Sequence, residues 1–223
     1  MYINLKNTVR LVAIVAAMVL CPGCSALGFL LSPGPNERPK PAEFDLQQKL
    51  KGNVLVMVDI TGALAADADL KVRLTARIAG FLVKKVRLSD QQIIPYMPES
   101  TALSREDPAQ LAQRLGAEMI LYTRVLDYEM QGFQDGKYYT GLLVSRTALL
   151  GLDSAVLWPA GSEAREVQVS VDIETAGRDK ALDRLANAAA HCITRALYDC
   201  PRSSFGISEE RLSLREMTED QLF

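Results

Sequence analysis

Val54-Leu55-Val56-Met57-Val58 is a run of five consecutive apolar residues, three of them β-branched. A strand with one wet face alternates between apolar and polar residues, so an unbroken run of this length reads as a strand covered on both faces. With the helical segments downstream, this reads as a mixed domain of the α/β (α+β) class. The downstream segments agree. Leu70, Leu74, Ile78, Phe81 and Leu82 recur at helical spacing between Asp69 and Val86, with Lys71, Arg73, Arg77, Lys84 and Lys85 elsewhere on the circumference. Ile93-Ile94 before Pro95 is a short second strand. Asp107-Pro108-Ala109-Gln110 supplies an N-cap, a first-turn proline and a capping-box partner, and Gly116 a C-terminal stop.

Met119 to Tyr128 reads as a third strand, and Asp135-Gly136 as the turn into a long strand from Tyr138 to Leu150. A second turn near Asp153-Ser154 leads to Val156-Leu157-Trp158. Val167, Val169, Val171 and Ile173 alternate strictly with polar residues, the pattern of a half-buried strand with one wet face. Leu182, Leu185, Ala189, Cys192, Ile193 and Ala196 then form one stripe of a helix over Asp179 to Leu197. The expected architecture is a single mixed sheet in the order β-α-β-α-β-β-β-β-α, with helices packed on it. Hydrophobic residues at 48 % against 23 % charged give it enough material for a core.

The N-terminal segment specifies an address. Lys6 and Arg10 precede an apolar run from Leu11 to Leu20, and Cys21-Pro22-Gly23-Cys24 closes it, which is the layout of an export signal. Ten helical residues span about 15 Å, half of a hydrocarbon core of about 30 Å, so the run alone cannot cross a bilayer. The closing residues resemble a bacterial lipobox, with Gly23 before the cut and Cys24 as the lipid-modified residue. Cys21 and Pro22 depart from the usual Leu and Ala or Ser. Two other outcomes stay open: an uncleaved anchor continuing through Phe29, Leu30 and Leu31, or an ordinary secretory cut after Gly23 or Ala26.

Ser32 to Pro41, SPGPNERPKP, holds four prolines and cannot pack, so it reads as a semi-rigid spacer. The expected organisation is a lipoprotein signal peptide over 1–23, a lipid anchor and tether over 24–51, one α/β domain over 52–200, and a charged tail over 201–223. Removing 1–23 takes Lys6 and Arg10 with it and leaves the chain more acidic than its formal charge of −2. Attachment to an anionic membrane would then rest on acyl chains at Cys24, not on basic residues.

Three segments carry a family resemblance. Val54 to Ile60, Gly116 to Val125 (Gly-Ala-Glu, a hydrophobic strand, then Arg124-Val125) and Thr147 to Trp158 resemble, in order, elements of a family of bacterial envelope domains. It includes the N-terminal domain of the TolB translocation protein, the lipoprotein activator of penicillin-binding proteins and the curli secretion lipoprotein. The resemblance spans roughly Gly52 to Asp199. It implies the fold above and a domain facing the periplasm, at the outer membrane sooner than the inner, where Ser25 after Cys24 suits sorting. The family's Asp-x-x-x-Gly turn is degraded here, with Asp153 but no following glycine. The Tyr128 to Thr140 connection is too short and polar to supply a membrane-spanning hairpin, so a pore is not expected.

No chemistry of catalysis accompanies this. His191 is the only histidine, and Cys192 beside it points about 100° away on a helix, so the two cannot share a metal. There is no Gly-x-Ser-x-Gly elbow and no phosphate-cradling glycine loop. Asp172 and Glu174 share a strand face and read as solvated carboxylates. Neither a cofactor nor a metal is expected, and the chain is read as a non-enzyme. With 25 Lys plus Arg against 27 Asp plus Glu and no basic cluster, nucleic acid is not an expected partner. Cys192 and Cys200 could bridge only if the helix ends before Leu197, because eight helical residues separate Cα atoms by about 12 Å. Trp158 and Cys192 read as structural, and Tyr138 and Tyr139, just after the turn, as a partner contact. The expected role is a membrane-anchored accessory or assembly factor that binds a larger envelope complex. A homo-oligomeric envelope scaffold is the alternative, and an unrecognised hydrolase using His191 or a carboxylate pair is the third reading.

Overall fold

The computed structural model describes residues 39–60, 68–97, 107–134, 136–174 and 177–200. Cys24, Asp135, the side chain of Asp172 and the tail after Cys200 lie outside what is described. In chain order the elements are α1 (Leu46–Lys49), β1 (Asn53–Ile60), α2 (Ala68–Lys84), a 3-10 turn (Asp90–Gln92), β2 (Ile93–Tyr96), α3 (Pro108–Leu115), β3 (Ala117–Phe133), β4 (Tyr138–Gly151), β5 (Val156–Trp158), β6 (Arg165–Glu174) and α4 (Arg178–Thr194). The sheet runs β2-β1-β3-β4-β5, and β6 shares with β5 the outer side of β4. β1 pairs in parallel with β2 and β3, while β4 is antiparallel to β3, β5 and β6. The sheet is mixed, with helices on both faces, as the apolar run of β1 requires.

The larger core lies between the sheet and the helices α2 and α4. Val54, Val56 and Val58 of β1, Leu121 of β3, Leu143 and Leu149 of β4 and Val167 and Val169 of β6 face Leu74, Ile78, Leu182 and Leu185. Arg73 of α2 bonds Asp183 at 2.8 Å and Asp179 at 3.1 Å, tying α2 to α4 across that layer. On the opposite face Leu55, Met57 and Ile120 pack against Leu111 and Ala112 of α3. α3 is short, because Asp107 caps it, Pro108 opens it and Gly116, at φ 71°, ends it in the left-handed conformation. It covers β1 and the start of β3, and no other described helix packs on that face.

Two boundaries differ from the sequence reading. Residues 42–51, assigned to the tether, belong to the folded unit: Phe44, Leu46 and Leu50 are buried in the larger core. Lys40 exchanges backbone hydrogen bonds with Cys200, and the amides of Glu43 and Leu46 donate to the carbonyls of Ala196 and Leu197. Three apolar residues spaced across ten were too sparse to read as an element, and their burial depends on a segment far away in sequence, the Ala196–Cys200 stretch that follows α4. β3 also continues to Phe133 instead of ending at Tyr128, so the expected hairpin has a longer first strand.

Candidate functional site

Register on the open face builds one row of charge. Asp59 of β1 pairs with Arg124 of β3, Arg124 with Arg146 of β4, and Arg146 with Glu166 of β6. Acids therefore flank two arginines that stand directly opposite each other, an unfavourable arrangement for like charges on neighbouring strands. Each guanidinium is drawn outward. Arg124 Nε lies 3.4 Å from Asp59, and Arg146 Nε lies 3.2 Å from Glu166. Both arginines remain more than half exposed, at 53 % and 59 %. Tyr122 donates to Asp59 at 2.8 Å and accepts from Arg124 at 3.1 Å. Burial, and then the bond to Asp59, push the Tyr122 phenol above its ordinary range. The contacts with Tyr122 and Asp59 hold Arg124 more firmly protonated.

A groove of about 660 Å³ lies over this row. Tyr122, Arg124, Ala148 and Leu150 form part of its floor, Leu126 lies at one end, and Ser162 to Ala164 of the β5–β6 connection wall one side. Leu126 follows Tyr122 and Arg124 on that face by plain alternation, and it is the extra residue of a bulge: Val125 pairs with Ser145 and Asp127 with Val144. The bulge also switches the parity of β3. Without it Asp127 and Glu129 would turn to the α2–α4 side; with it Tyr128 and Met130 do, and both pack against the larger core.

Beyond Val125 no described strand pairs with the free side of β3, so 126–133 and the start of β4 project as a hairpin arm, with β6 along the β4 side. Phe133 and Tyr138 are opposite one another at its tip, 47 % and 36 % exposed. Tyr139 does something different. Its ring lies over Gly132 and its hydroxyl over Gly136, so close that a Cβ at either glycine would meet it at 3.2 or 3.1 Å. Tyr139 stiffens the tip; the aromatic offered to solvent beside Tyr138 is Phe133, which the sequence reading passed over. Gln134 at φ 49° and Gly136 at φ 79° make the turn.

Trp158 is buried, with its Nε1 donating to Glu43 at 3.0 Å. Cys192 lies on the buried stripe of α4. Cys200 is also buried, and the two are not bridged to one another. His191 is buried too, its ring 5.6 Å from that of Phe81. Glu174 is a correction. It is 3 % exposed and paired with Arg184 of α4 at 2.6 Å, not solvated. A register shift between Tyr139 and Gly141 places Glu174 opposite Tyr139, on the core side that simple alternation denies it.

The described residues define a mixed-sheet α/β domain with one half-open face and a projecting hairpin. No known family matches the sequence, and no curated protein does. Among solved structures the chain is similar to several bacterial proteins, lipoproteins among them. The PelC dodecamer from Paraburkholderia phytofirmans (the L103M variant) is 13 % identical with a TM-score of 0.40, over 72 % of this chain and 94 % of that one. Lipoprotein GNA1162 from Neisseria meningitidis is 13 % identical with a TM-score of 0.39, over 64 % and 98 %. A minor lipoprotein from Acinetobacter baumannii is 13 % identical with a TM-score of 0.33, over 64 % and 90 %.

Proposed function

We propose that this chain is a lipid-anchored lipoprotein of the bacterial envelope, of the TolB-N-like class, that acts without catalysis as an accessory or assembly factor for a larger complex. One observation carries the reading: the point where the tether joins the domain and the tip of the hairpin arm lie at opposite ends of the sheet. Glu43 is held by Trp158, which pairs with Leu149, itself opposite Leu121 near the start of β3. From Leu121 to Phe133 the strand runs about 40 Å. A tether that enters the domain at Lys40 therefore leaves the exposed aromatic pair at the end of the sheet farthest from its attachment point. Confinement by the tether raises the domain's effective concentration for a membrane-bound partner without further contacts.

In-cell cross-linking followed by mass spectrometry tests this. The native chain should give a specific envelope partner, reduced several-fold both by Cys24→Ala and by Phe133→Ser with Tyr138→Ser. Equal recovery from all three forms would refute it. A homo-oligomeric scaffold is the second reading, supported by the outer edge of β6, ten residues long and unpaired among the described strands. Sedimentation of the chain as a monomer at high concentration would remove it.

A further inference from the structure

We infer that the groove over Arg124 and Arg146 is a docking site for an extended segment of a partner protein that carries a carboxylate two residues from an apolar side chain. The inference rests on the accessory-factor reading and names the chemistry of the partner. Each guanidinium has five N–H donors. Arg124 uses Nε and Nη2 towards Asp59 and Tyr122, and Arg146 uses Nε and Nη2 towards Glu166. Nη1 of both has no protein acceptor among the described residues, so the middle of the row offers unused donors, while the carboxylates that also line the groove, Glu163 and Glu166, stand at its β5–β6 side. A carboxylate lying between the two strands would relieve the repulsion of the arginine pair and accept from both, a charge-assisted contact stronger than a neutral one.

The rest follows from strand geometry. Ala148 is two residues along β4 from Arg146, and Tyr122 two along β3 from Arg124, so a second row lies about 7 Å away on the same face. That row and Leu150 beyond it are largely apolar. An extended peptide lying along β3 and β4 places its own side chains at the same interval. A Glu or Asp over the arginines therefore puts the residue two positions on over Ala148 and Leu150.

Purified full chain in detergent micelles, applied to an array of octapeptides with central Glu-x-Leu, Gln-x-Leu, Lys-x-Leu or Glu-x-Ser, tests the site. Glu-x-Leu should be retained at least about tenfold better than Gln-x-Leu. Arg124→Gln with Arg146→Gln should abolish that preference. Leu126→Glu, at an exposed position, should weaken retention while leaving the emission of buried Trp158 unchanged. Retention that ignores the Glu-to-Gln exchange, a preference that survives the double substitution, or retention of no peptide would each overturn the inference. The array reads the groove alone. Such a failure beside intact cellular cross-links would refute the groove and leave the accessory reading standing. Glu-dependent retention without any cellular partner would do the reverse.

Discussion

Neutralising Glu43 should loosen the join between the tether and the domain in a pH-dependent way. Its carboxylate accepts from Arg165 Nη1 at 2.8 Å on both oxygens, from Trp158 Nε1 at 3.0 Å and from Lys40 Nζ at 3.2 Å. Burial alone would raise its pKa; the hydrogen bonds from Arg165, Trp158 and Lys40 and the Arg165 charge prevail and bring it from 4.5 down to about 2. A depression of that size corresponds to at most roughly 3 kcal/mol of linkage. The side chain is 33 % exposed, so solvent screening reduces the expected contribution to about 1–2 kcal/mol. Because the folded pKa lies below the unfolded one, this stability is present above pH 4.5 and lost as pH falls towards 2.

Glu43→Gln keeps the shape and removes the charge. Urea unfolding followed by the emission of Trp158, the sole tryptophan, should give a loss of about 1–2 kcal/mol at pH 7 that closes as pH approaches 2. No loss at pH 7 would refute the argument. An equal loss at both ends of the range would refute it too, since the effect would then be one of packing and not of charge.

Leu46→Ala should cost about 2–5 kcal/mol in the same assay, since Leu46 is fully buried; a true tether residue would change stability by under about 0.5 kcal/mol. Arg87 stands just after α2 at φ 64°, and Arg87→Gly should stabilise the chain by about 0.5–1 kcal/mol, read as a higher urea midpoint. Tyr139→Ala should speed amide exchange at Gly132 and Lys137, whereas Tyr138→Ala should leave it unchanged, because only Tyr139 covers the tip glycines. Equal effects of the two would refute the division of roles at the tip.

From β1 onward the order of helices and strands was legible in the sequence, because helical spacing and strand alternation are local and each leaves its period in the chain. The unbroken run of β1 required cover on both faces, and both are covered. The caps of α3 and the buried stripe of α4 were legible for the same reason. The features that were not legible depend on register. Arg124 and Arg146 are far apart in sequence and ordinary as strand polars; pairing between four strands sets them side by side between two acids. The bulge at Leu126 and the shift near Gly141 each change parity by one residue, which turns Tyr128 and Met130 inward and buries Glu174. Alternation cannot foresee such shifts, because an inserted residue is indistinguishable from its neighbours until a partner strand skips it. The packing of Phe44, Leu46 and Leu50 is of the same kind: it depends on the chain after α4, Ala196 to Cys200, which is far away in sequence, and nothing within their own stretch encodes it.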